Sequence, residues 1–96
     1  MKVIFKGRQE GVTTNFINWL KEDPETRAII VHNLQTATNL RNEFCLSGID
    51  VVPYANIGKL QGTSKKYFAL DEYQLFFNTK EKDIPEGTVY ISITTS

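Results

Sequence analysis

The chain has 96 residues, enough for one domain with a sheet and two or three helices but not for two separate cores. Its hydrophobic fraction of 41% and charged fraction of 23% are those of an ordinary globular protein, and its formal net charge of zero excludes an overall basic field for nucleic acid or anionic lipid. The single cysteine, Cys45, excludes an internal disulfide, and no apolar run approaches the roughly 18 residues needed to span a bilayer. With no signal-peptide layout at the N-terminus, cytoplasmic residence is expected, with neither a membrane nor direct nucleic-acid binding.

Residues 2–6 read as a short apolar strand closed by Gly7. A helix over 13–22 follows, with Phe16, Ile17, Trp19 and Leu20 on one face, and Asp23-Pro24 ends it because proline disfavours helical backbone in the residue before it. Residues 28–32 are apolar up to His32, as in a strand covered on both faces, and His32 reads as a strand-end histidine. Asn33 is the expected N-cap of a helix over about 35–46, with Leu34, Ala37, Leu40 and Phe44 along one side and Gly48 closing it. Cys45, between Phe44 and Leu46, reads as a buried thiol. A short strand at 50–53, an irregular polar stretch to Gly62, and strands at 66–71 and 88–94 complete the chain. Strands alternating with helices predict an α/β three-layer sandwich with a mainly parallel sheet of four to five strands.

Three stretches carry chemistry. "KGRQEGVTTNF" at 6–16 joins a strand to a helix through Gly7 and Gly11 and ends in Thr13 and Thr14, the layout of a phosphate-binding loop. Such a loop needs lysine where Val12 stands, and Lys6 stands where its first glycine usually does. "YFALDE" at 67–72 places the carboxylates Asp71 and Glu72 at the C-terminal edge of a buried strand. "ISITTS" at 91–96 is a strand ending in hydroxyl residues.

In this order the three stretches resemble the ATPase core of additional-strand P-loop NTPases, most closely the large subunits of phage terminases. "GRQEGVTT" is similar to the terminase loop, "YFALDEYQLF" to the magnesium strand, "ISITTS" to the coupling strand, and "IIVHNLQTATNL" falls where the family has its second strand and helix. The resemblance makes Gly7, Arg8, Gln9, Gly11, Thr13 and Thr14 nucleotide-binding-like positions, Thr13 and Asp71 vestigial magnesium ligands, and Asp71, Glu72 and Arg8 vestigial catalytic residues. It also implies a strand order: residues 2–6 beside 88–94, then 67–71, with 28–32 outermost of four strands. In the resembled fold a further strand lies beside the loop strand, and the chain stops before one could be made. The edge formed by Lys2, Val3, Ile4, Phe5 and Lys6 is then expected to be unpaired. Either Lys2 and Lys6 blunt it as charges, or the edge serves as a docking surface for a partner or a second copy of the protein.

A lysine about 4 Å from a phosphate charge is worth about 4 kcal/mol at an effective dielectric near 20, and its loss from the transition state costs roughly a thousandfold in rate. Hydrolysis is therefore not expected, and no cofactor is expected beyond weak ATP and magnesium. The resemblance implies an inactive ATPase-like phage protein that inhibits or modulates a P-loop or AAA+ ATPase of host or viral DNA replication or packaging, such as a replicative helicase loader. The alternative is a minimal ATP-binding subunit of a viral packaging or replication ATPase.

Overall fold

A computed structural model describes residues 3–6, 11–75 and 84–93. In chain order the elements are β1 (Val3–Lys6), α1 (Val12–Glu22), β2 (Arg27–Val31), α2 (Leu34–Phe44), β3 (Val51–Pro53), a 3-10 helix (Tyr54–Leu60), β4 (Tyr67–Leu70), a 3-10 turn (Tyr73–Leu75) and β5 (Thr88–Ile93). The five strands form one sheet in the order β1-β5-β4-β2-β3, and every pairing is parallel.

This order decides which face each connection crosses. From β1 to β2 and from β2 to β3 the chain moves across the sheet in one direction, so right-handed crossovers put α1 and α2 on the same face. From β3 to β4 and β4 to β5 it moves back, over the opposite face. The core splits accordingly. Phe16, Ile17 and Leu20 of α1 and Ala37 and Leu40 of α2 pack on Ile29, Val31, Val51 and Ala69. On the other face Ala28, Ile30, Val52, Phe68, Leu70 and Ile91 are covered by Leu60 and Ile57 of the 3-10 helix, Tyr73 and Ile84. The sandwich therefore has unequal layers, with both α-helices on one side.

Local chemistry sets the element ends. The Asn33 side chain accepts the Thr36 N–H at 2.8 Å and caps α2 as its sequence predicts. Its last turn closes at Cys45, not Gly48: Cys45 adopts φ 56° and its N–H meets the Arg41 carbonyl. That position turns the thiol outward, so Cys45 is exposed where a buried thiol is expected. Leu34 is also exposed, because it sits in the first turn of α2, beyond the reach of the core. The stretch before Gly62 is a 3-10 helix rather than irregular. Finally, β3 lies outside β2, so residues 28–32 are not outermost: their apolar run is buried between β4 and β3.

At the N-terminal ends of the strands, Lys65 is buried with its side chain only 3% exposed. Its ammonium donates to Asp50 Oδ1 at 2.6 Å, to the Arg27 carbonyl at 2.8 Å and to the Pro24 carbonyl. Three donors meet three acceptors, which is what a buried ammonium requires. One side chain thus ties together the starts of β2, β3 and β4.

Candidate functional site

Gly11 opens α1 with φ 85°, a left-handed conformation that turns the chain into the helix without a side-chain cap. The Asn15 N–H closes the first turn on the Gly11 carbonyl at 2.8 Å. This puts Thr13, half-buried, at the C-terminal edge of the sheet, the edge where open parallel sheets bind ligands. Its hydroxyl donates to Asp71 Oδ2 at 2.9 Å.

Asp71 directly follows β4, is 6% exposed, and donates its N–H to the Ile30 carbonyl at 3.0 Å. Its other oxygen, Oδ1, accepts the Ser92 hydroxyl at 2.8 Å. The same Ser92 oxygen accepts the Glu72 N–H at 2.8 Å. Each carboxylate oxygen of Asp71 therefore takes a hydroxyl proton, and no salt bridge reaches it among the described residues. Glu72 is partly exposed with φ 56°.

The three stretches singled out in the sequence thus meet here: the start of α1, the acidic pair after β4, and β5. Thr14 is exposed, and Val12, partly buried, packs against the core under α1. Gly7, Arg8, Gln9 and Lys2 lie outside the described residues, as do Thr94, Thr95 and Ser96. On β1, which has β5 as its strand neighbour among the described residues, the Ile4 side chain is 49% exposed.

The three described cavities lie elsewhere. One, of about 350 Å³, is lined by Ile30, Leu60, Lys65 and Phe68, and two others adjoin Tyr67. No group of three His, Cys, Asp or Glu side chains able to hold a metal occurs among the described residues. A nucleotide-carried magnesium is a different demand, since it keeps water and phosphate ligands and needs few protein oxygens. For that ion the donor set fits: the Thr13 proton goes to Asp71, which leaves the hydroxyl oxygen's lone pairs free. For the phosphates themselves Val12 supplies no charge.

Two features escaped sequence reasoning. Ser92 stands between Ile91 and Ile93 in a strand buried on the sheet, and a lone hydroxyl there demands a partner, a signal that was readable. The pairing of Lys65 with Asp50 crosses 15 residues and left no local pattern. No protein-family model, curated protein or solved structure matches this chain.

Proposed function

We propose that this protein is a degenerate P-loop NTPase-like core that does not hydrolyse ATP and acts by contact with another protein. The observation that carries the reading is the Thr13–Asp71 hydrogen bond, made across the strand order β1-β5-β4, with Val12 standing where the phosphate lysine belongs. Hydroxyl and carboxylate are paired as a magnesium site pairs them, while the charge that would hold the phosphates is missing. A folded nucleotide face without its catalytic charge suits a mimic. In this reading it docks on a P-loop or AAA+ ATPase of host or viral DNA replication or packaging, a replicative helicase loader being the example, and inhibits or modulates it. A second reading, a minimal ATP-binding subunit of a viral packaging or replication machine, is favoured by the same intact Thr13–Asp71 pair.

Nucleotide titration separates the two. Calorimetry with ATP and magnesium is expected to give a dissociation constant above roughly 0.1 mM, weaker than about 5.5 kcal/mol. Micromolar affinity would favour the second reading and reject the first. Val12→Lys is expected to tighten binding at least about tenfold, since a lysine stem can run along the core and deliver its charge to the edge. No gain would mean that the turn into α1 does not aim at phosphate.

The docking edge has its own test. Ile4 is half-exposed on a strand that lies at the edge of the sheet among the described residues, and an edge strand can be augmented by a partner strand. With a purified helicase loader, hydrogen exchange over residues 2–6 is expected to slow. Protection confined to other segments would move the interface off β1.

A further inference from the structure

Among the described residues, two other than glycine have positive φ: Cys45 and Glu72, both at 56°. Cys45 closes α2, where left-handed backbone is routine. Glu72 closes no helix. It follows Asp71 at the exit of β4 and precedes the 3-10 turn, whose Leu75 N–H reaches back to the Glu72 carbonyl at 2.9 Å. A left-handed conformation in a residue with a Cβ lowers the folding equilibrium constant by about five- to thirtyfold relative to a relaxed one. Something nearby must hold it.

The neighbour placed to do so is Ser92, 4% exposed. A serine hydroxyl has one proton and two lone pairs. Here the hydroxyl proton is directed to Asp71 Oδ1, and this turns a lone pair toward the Glu72 N–H. The bonds converge on Asp71: Thr13 and the Ser92 hydroxyl both donate to it. Ser92 in turn accepts the Glu72 N–H, so the two bonds of the run from Glu72 through Ser92 to Asp71 polarise one another.

We propose that Ser92 is the positioning residue of this edge: fixed by its hydrogen bond to Asp71, its hydroxyl oxygen holds the Glu72 backbone left-handed. A change at Thr13 and Asp71 is thereby passed to the direction of the Glu72 side chain, the partly exposed carboxylate of the site. The proposal rests on the reading of this edge as the nucleotide-like face, and it supplies that face with a means of presenting itself differently to a partner.

The test is a double-mutant cycle on the full chain, followed by urea unfolding and by NMR of residue 72. Glu72→Gly, which relieves the strained conformation, is expected to raise the folding equilibrium constant about five- to thirtyfold. Ser92→Ala is expected to lower it, and by at least fivefold less when Glu72→Gly is also present. The backbone couplings of Glu72 in Ser92→Ala should report a φ that is no longer positive. Thr13→Val, three hydrogen bonds away from the Glu72 amide, should change its exchange rate severalfold. Additive effects, or a positive φ retained in Ser92→Ala, would overturn the role given to Ser92. If Ser92→Ala does not fold, Glu72→Gly and Thr13→Val decide together. A loss of stability in the first means that no strain is stored, and an unchanged Glu72 amide in the second means that the bonds through Ser92 carry nothing; either result overturns the proposal. None of these measurements involves nucleotide or partner, so they stand or fall separately from the proposed function.

Discussion

Asp50→Asn is expected to destabilise the protein by about 3–5 kcal/mol, the range for removing one partner of a buried ion pair. The Lys65 side chain is 3% exposed and that of Asp50 15%, so little solvent is present to screen the lysine once its counter-charge is gone. The two carbonyls that also accept from Lys65, of Pro24 and Arg27, satisfy its protons but not its charge. Lys65→Met together with Asp50→Asn should cost clearly less than the two single changes added, since the double variant leaves no orphaned charge. Equal or additive losses in urea unfolding would mean that the ammonium contributes by shape alone.

The same pair gives a pH dependence of defined sign. Burial pushes the Asp50 carboxyl up, but the Lys65 hydrogen bond, the Ser47 N–H and the Lys65 charge outweigh it and hold the group below the ordinary carboxylate value. A depressed folded value means that the stabilisation is complete above the unfolded value, near 4, and is lost as pH falls through the lower folded one. Stability should therefore be unaffected by this group from neutral pH down to about 5 and fall below about 4. That part of the acid limb should vanish in Asp50→Asn.

Gly87→Ala is the second large effect, expected at about 2–5 kcal/mol. Gly87 has φ 95°, and a Cβ there would lie 2.1 Å from the Lys66 carbonyl oxygen. The obstacle is backbone and cannot rotate away. Nor can Gly87 move easily, because its carbonyl accepts the Phe68 N–H at 3.1 Å, just where the β4–β5 register shifts between Phe68 and Ala69. Gly11→Ala makes the control: φ is 85°, yet nothing lies within 4 Å of the new Cβ. It should cost only the conformational part, about 1–2 kcal/mol. Similar losses for the two variants in thermal unfolding would show that the Lys66 contact is relieved by a small shift.

Much of this protein was legible in its sequence because the deciding interactions are local. The periodicity of Phe16, Ile17 and Leu20 marks α1, and these residues are buried on the sheet. Asn33 carries its capping chemistry in its own side chain. The apolar runs at 28–31 and 68–70 fall in strands with neighbours on both sides. The adjacency of β1 to β5 and of β5 to β4 is also found, but it was implied by the resemblance and not by local pattern. The acidic pair after β4 could be placed at a strand's C-terminal edge from the order of residue types alone.

Tertiary structure decided the rest, and in each case the reason is distance along the chain. The position of β3 outside β2 depends on how Val51–Pro53 pairs with Ile29–Val31, a choice that three apolar residues cannot encode locally. Once made, it sends α1 and α2 to the same face. Ser92 reaches Asp71 and Glu72 because β5 lies beside β4, and Lys65 reaches Asp50 because β3 and β4 begin on either side of β2. Hydrogen bonds and ion pairs between residues 15 to 58 positions apart leave no periodic trace, since periodicity records only which side of an element faces the core. Which polar groups meet there is settled by strand order, and strand order is a property of the whole folded chain.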